Sequence, residues 1–225
     1  MTPAAKAWSW ALDYRYAAAR QVQAVLDRTD PGVYRRGGTR RPVVVLPGIW
    51  ETWHFLRPLI EHLHDAGHPV HVLAALGWNG GAVDSGAALT VDHLRRHDLT
   101  DVVLVAHSKG GLIGKAAMLD AADGSRIAAM AAISTPFAGS VYARFAPLRS
   151  LRAFSPHDPT TLRLAANREV NARITSIYGE FDPHIPGGSE LPGAVNVEVP
   201  VGGHFRILAD PRTLEALDGA LARAD

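Results

Sequence analysis

From residue 43 onward the chain alternates short unbroken apolar runs with longer stretches in which apolar residues recur every three or four positions. Val43, Val44, Val45 and Leu46 make the first run, which stops at Pro47-Gly48 and leads into a helical pattern over residues 55–66. The unit recurs as an apolar run at 69–74 with a helical pattern at 83–96, then 102–106 with 112–121, then 127–133. Further apolar runs follow at 174–178 and 195–201, and a last helical pattern spans 211–223. Short apolar runs without polar alternation are strands buried on both faces, and strands separated by helices form a parallel sheet covered on each side. The pattern therefore predicts a doubly wound α/β fold whose mostly parallel sheet has about six strands.

Two segments fall outside this rhythm. Residues 137–170 hold Pro147, Pro156 and Pro159 and a short helical piece at 161–171 where one crossover helix is due. They read as a small helical cap inserted after the strand ending near Ser134, over the carboxyl ends of the strands. At the other end, residues 3–28 carry Trp10, Tyr14, Ala17, Ala18, Val22, Val25 and Leu26 at helical spacing, closed by Asp30-Pro31-Gly32. This predicts an amphipathic N-terminal helix within residues 1–30 whose apolar stripe packs on the flank of the main domain, residues 42–225; attachment to a membrane surface or a partner is the other reading. The arginines at 35, 36, 40 and 41 read as a solvated basic linker.

Composition narrows the function classes. With 23 Lys and Arg against 22 Asp and Glu, the formal charge is +1, and no basic run interleaves with aromatics, so no nucleic-acid partner is expected. The absence of cysteine removes thiolate nucleophiles and cysteine metal sites, so catalysis has to use oxygen or nitrogen groups. No segment approaches the roughly 20 apolar residues of a transmembrane helix, and the N-terminus lacks a signal-peptide core, so the expected location is the cytoplasm.

Ligands of a doubly wound sheet bind beyond the carboxyl ends of its strands. After the run 102–105 stands Ala106-His107-Ser108-Lys109-Gly110-Gly111, followed by a helix. A serine at a sharp turn between strand and helix has an exposed hydroxyl, and the helix N-terminus favours a developing negative charge. Its other reading is a helix cap. A serine needs a base and an orienting carboxylate, and both stand at later strand ends: Asp182 after Tyr178-Gly179-Glu180-Phe181, and His204 after Gly202-Gly203. Glu180 and Asp210 are rival carboxylates, and His184 a rival base that its nearness to Asp182 makes a better pocket wall. The amides of Ile49, in the Pro47-Gly48-Ile49-Trp50 loop, and of Lys109 are the candidate oxyanion donors. Trp50, Trp78, Phe137 and His184 are the candidate substrate pocket, with Trp53, Phe145 and Phe154 as further apolar lining. Lys109 reads as solvent-facing on the first helical turn, or as a cation at the pocket mouth that favours an anionic substrate or pairs with a cap carboxylate.

Together with Ile133-Ser134-Thr135-Pro136-Phe137-Ala138-Gly139-Ser140, these segments resemble the α/β-hydrolase superfamily, nearest its bacterial lipase and esterase branch, over about residues 42–223. The resemblance implies a compact α/β-hydrolase fold and a Ser-Asp-His triad of Ser108, Asp182 and His204. It further implies cleavage of carboxylic esters of small or medium acyl chains through an acyl-enzyme, with neither metal nor organic cofactor. Members of that branch usually carry methionine or glutamine where this chain has Lys109. The same triad also serves thioesterases, amidases and acyltransferases, and a hydrolase fold can persist as a binding module. His62, His64, His68 and His71 crowd one segment, but the first two point about 200° apart on a helix and no His-Glu-x-x-His pattern accompanies them, so no metal site is expected.

Overall fold

The computed structural model describes residues 1–143, 149–152 and 154–224. Its centre is a six-stranded, all-parallel sheet of β1 (Val43–Leu46), β2 (Val70–Val72), β3 (Val102–His107), β4 (Ile127–Ile133), β5 (Ile174–Phe181) and β6 (Val195–Gly202), in the order β2-β1-β3-β4-β5-β6. All residues of β1, β2 and β3 are buried, as unbroken Val and Leu runs require in an inner sheet. β6 departs from the all-buried expectation: it is the sheet edge, and Val195, Asn196, Glu198 and Pro200 face solvent.

Helices α2 (Arg57–Asp65), α3 (Val83–Arg96), α4 (Lys109–Met118) and α7 (Pro211–Ala224) cover the sheet. Alternation along β1 sorts its side chains into two cores. Val44 and Leu46 pack with residues of α3 and α4, while Val43 and Val45 pack with residues of α2 and α7. Between β1 and β3 the chain reverses its direction of winding, which opens a crevice beyond their carboxyl ends. The register Leu46↔Ala106 sets the loop after β1 beside the turn after β3.

The insertion between β4 and β5 contains α5 (Arg149–Arg152) and α6 (Pro159–Ala166), shorter than the expected 161–171 piece and shifted toward the N-cap Asp158. Leu164 of α6 joins the core beside α4, and Ser140 Oγ donates to the His184 carbonyl at 2.6 Å, tying the insertion to the loop after β5. α4 begins at Lys109, three residues earlier than its apolar pattern implies, because Gly110 and Gly111 lie inside its first turn.

The N-terminal helix α1 (Pro3–Leu26) is inverted relative to the expected packing. Ser9, Asp13 and Ala24 face the body, whereas Trp10, Tyr14, Val22, Val25 and Leu26 of the expected buried stripe are exposed. Hydrogen bonding explains the inversion. Asp13, Arg20 and Gln21 satisfy backbone groups of the body, and turning the helix would orphan them.

The crowded histidines do not converge. His62 Nε2 meets Asp218 at 2.7 Å and His68 Nδ1 donates to the Arg41 carbonyl at 2.8 Å. His71 instead packs against His93 and His97 of the neighbouring helix. Burial pushes His71 and His93 down from 6.5 to about 4. The unfolded chain thus takes up protons near pH 6.5 that the folded chain refuses until about pH 4, so both rings cost stability as pH falls through that window. His71→Leu, which removes one such proton, is expected to flatten the decline of melting temperature between these pH values. An unchanged slope would rule out this origin.

Candidate active site

Ser108 is the N-cap of α4 and sits at φ 51°, ψ −118°, a left-handed conformation that a residue with a Cβ adopts only under constraint. The constraint is parallel pairing on both sides of β3 up to Ala106 and His107, with the helix starting at the next residue. The turn has no room for a side chain at Gly110, where a Cβ would lie 2.2 Å from the Leu46 carbonyl oxygen. The sequence therefore dictates the sharp turn, and the turn aims Ser108 Oγ out of the sheet.

Three strand ends meet there. His204 Nε2 lies 3.0 Å from Ser108 Oγ, and its Nδ1 lies 2.7 Å from Asp182 Oδ2. Asp182 Oδ1 accepts from the amides of His184 and Ile185 at 2.8 and 3.1 Å, which fixes the carboxylate plane. Burial opposes charge on both groups, yet each offsets that penalty for the other. His204 is held above its ordinary value by Asp182, with Glu51 and Asp13 adding to the effect, and Asp182 is held below its ordinary value by His204 and the His184 amide. Distance separates the rivals: Asp210 pairs with Arg212 at 2.8 Å, Glu180 is exposed, and His184 Nε2 meets the Tyr14 hydroxyl at 3.2 Å.

The loop after β1 is pinned from two directions. Glu51 Oε2 accepts from the Gly48 amide at 2.7 Å, and Asn79 Nδ2 donates to the Pro47 carbonyl at 2.7 Å. Trp50 takes φ 58° as the loop turns. The same loop lies against the start of α4, where a Cβ on Gly110 would stand 3.0 Å from the Pro47 carbonyl oxygen, and the first N–H of that helix, that of Lys109, has no acceptor within it. The Lys109 side chain is not solvent-facing, and among the described residues it pairs with no carboxylate. It is buried, and Nζ donates to the carbonyls of Asn79 and Gly81 at 2.7 and 2.6 Å, so that it staples the loop before α3; burial pushes its amine down to about 8. The two carbonyls solvate the amine where water cannot, which is why the chain folds inward.

Of the predicted pocket residues, Trp50 and Trp78 are exposed, and the His184 ring lies 4.8 Å from that of His204. Phe137 is instead buried in the core, with Lys115 Nζ 5.9 Å above its ring, and Phe154 and Trp53 are also buried. Phe145 lies outside the described residues.

Three supporting residues escape the sequence reading. Asp13 of α1 is fully buried; its Oδ2 accepts from the His204 amide at 2.9 Å, and its Oδ1 from those of Phe205 and Arg206 at 2.8 Å each. Glu51 lies 2.9 Å from His107 Nδ1, and His107 Nε2 donates to the His204 carbonyl at 3.0 Å. The backbone of His204 is thus held at its N–H by Asp13 and at its C=O by His107. An acid within an apolar helical run was the one signal for Asp13, and nothing local links residues 13 and 204.

No family model matches the chain, and no curated protein matches it in sequence. Solved structures do. The chain superposes on a Mycobacterium tuberculosis protein described as the non-heme bromoperoxidase BpoC with TM-score 0.64 at 15% identity, covering 84% of this chain and 94% of that one. It superposes on mature lipase BlEst2 of Bacillus licheniformis with TM-score 0.61 at 15% identity, covering 83% and 97%. With mouse alpha/beta hydrolase domain-containing protein 10 the TM-score is 0.59 at 13% identity, covering 84% and 92%. The chain has the α/β-hydrolase fold. Among its described residues no helix is long and apolar enough to cross a membrane.

Proposed function

We propose that this chain is a serine hydrolase that cleaves carboxylic esters of small or medium acyl chains through an acyl-enzyme. The observation that carries this reading is the continuous hydrogen-bonded line from Asp182 through His204 to a strained, outward-aimed Ser108. A capping serine has no use for a histidine on its hydroxyl or for a buried carboxylate behind that histidine.

In the proposed reaction Ser108 Oγ attacks the acyl carbon while His204 Nε2 takes its proton. Asp182 holds the imidazole in the tautomer with Nδ1 protonated and stabilises the imidazolium that forms. The amides of Ile49 and Lys109 bind the oxyanion. His204 returns the proton to the departing alcohol, then takes one from water as its oxygen attacks the acyl carbon, and gives that proton to Ser108 Oγ as the bond from Oγ to the acyl carbon breaks and the acid leaves. Trp50 and Trp78, exposed on the loops that flank Ser108, provide apolar surface for the acyl group.

Two measurements test the reading. A fluorophosphonate probe is expected to label the protein at Ser108 and to leave Ser108→Ala unlabelled, and an unlabelled native protein would favour a binding module instead. A panel of p-nitrophenyl esters, thioesters and anilides of increasing length then selects among the reactions one triad serves.

Only the neutral imidazole accepts the serine proton, and His204 is held above its ordinary 6.5. The acid limb of kcat/KM is therefore expected to have its midpoint above pH 6.5. In Asp182→Asn the carboxylate that holds the pKa up is gone and burial remains. The midpoint should move down, with kcat lower by about 10⁴-fold from the wrong tautomer. An acid limb at the same pH in both proteins would detach it from His204.

A further inference from the structure

The outer face of α1 points to a lipid surface. A helix that lies on a globular body ordinarily turns its apolar side inward and its polar side to water. α1 does the reverse, because its inward positions are taken by Ser9, Asp13 and Arg20, which hydrogen-bond the body. What remains outside is Trp8 at 67% exposure, Val22 at 59%, Val25 at 62% and Leu26 at 71%, with alanines between them. Ala7, Trp10, Ala11 and Tyr14 line an open apolar strip along the same helix. Exposed apolar surface of this extent along one helix marks an interaction site.

Charge selects the occupant. The one acidic residue of α1, Asp13, is buried, so the outer face carries no exposed acid and one exposed cation, Arg15; Lys6 Nζ lies 5.2 Å over the Phe181 ring, and beyond the helix end the exposed Arg28 is balanced by the exposed Asp30. A symmetric pairing of two copies through this face would bury the Arg15 of each in an apolar seam with no exposed acid on either helix to meet it. An anionic headgroup layer meets Arg15, while Trp8, Trp10 and Tyr14 suit the boundary between acyl chains and water.

We infer that α1 docks the protein in the plane of a bilayer surface that carries anionic lipids, with Trp8, Val22, Val25 and Leu26 entering the headgroup boundary and Arg15 meeting headgroup charge. The helix also touches the rim of the Ser108 site: Tyr14 bonds His184, and Gln21 Nε2 donates to the Trp50 carbonyl at 2.8 Å. Docking through α1 therefore holds at the membrane surface a helix that contacts the rim of the site.

Sedimentation with sucrose-loaded vesicles tests this without any turnover of ester, so its outcome is independent of the chemistry at Ser108. The native protein is expected to pellet with phosphatidylcholine vesicles containing phosphatidylglycerol, far less with pure phosphatidylcholine, and to be partly released by salt. The triple substitution Trp8→Ala, Val25→Ser, Leu26→Ser should lower the partition coefficient at least about tenfold, since each side chain leaves an apolar contact. Arg15→Gln should lower it about fivefold on anionic vesicles and leave binding to neutral ones unchanged. Circular dichroism of both variants shows whether the fold is kept. Native protein that stays in the supernatant, or a folded triple variant that pellets as well as native, overturns the inference. So does a concentration-dependent dimer, seen by analytical ultracentrifugation, that the triple substitution abolishes while vesicles bind neither protein.

Discussion

Ser108→Ala is expected to reduce kcat on p-nitrophenyl esters by about 10⁴ to 10⁶-fold, and His204→Ala by nearly as much. The double variant should lose little more than either single one, because nucleophile and base act as a unit and the oxyanion donors survive both changes. Stability should separate from activity. Alanine at 108 inherits the same φ of 51° and loses one side-chain hydrogen bond, so its unfolding free energy should change by about 1 kcal/mol or less. Ser108→Gly goes further: it relieves a conformation that costs about 1–3 kcal/mol for a residue with a Cβ, and is expected to be inactive yet more stable than native. Calorimetry with single-turnover kinetics checks both. Turnover in Ser108→Ala within about tenfold of native would remove the serine from the reaction.

Asp13→Ala is expected to damage the protein far more than a change on a terminal helix ordinarily does. The substitution leaves the buried amide of His204 and the half-buried amides of Phe205 and Arg206 without their acceptor, at about 1–3 kcal/mol for a donor left unmet away from water and less for one that water reaches. Even about 3 kcal/mol in total corresponds to a melting temperature about 6–12 °C lower in a chain of this size. Because one of the three amides belongs to His204, the imidazole should also lose its register with Ser108, and kcat should drop about tenfold to a hundredfold with KM little altered. Asp13→Asn separates the two roles. It keeps an oxygen for two of the amides but turns an NH₂ group toward the third, so it should keep most of the stability and less of the activity. If Asp13→Ala melts early but the folded fraction turns over at the native rate, the residue braces the fold and does not position the histidine.

The inversion of α1 and the fate of Lys109 share a cause. In each case the sequence reading assigned direction from polarity, outward for charge and inward for apolar groups. In each case the structure reverses it, because the polar group finds backbone partners that only the assembled fold supplies. Asp13 gains three amides and Lys109 two carbonyls. Phe137 errs in the other direction: its position after a strand end suggested a pocket wall, and it is core. Nothing near it in the chain distinguishes the two, since the neighbours that bury it come from α4 and the insertion.

The sequence by itself determined what depends on local repetition and local sterics. The unbroken runs at β1 and β3, the helical spacing between them, and the small residues around Ser108 specify strands, helices and one sharp turn. The order of the strand ends offers Ser108, Asp182 and His204 as candidates. Tertiary structure alone decided what depends on which distant backbone groups become neighbours. It gives His204 to Asp182 at 2.7 Å, locks the backbone of His204 between Asp13 and His107, and turns the polar side of α1 inward. The physical reason is that a buried hydrogen-bonding group has to find a partner wherever the fold provides one. Periodicity records which residues are apolar, but it carries no record of those partners.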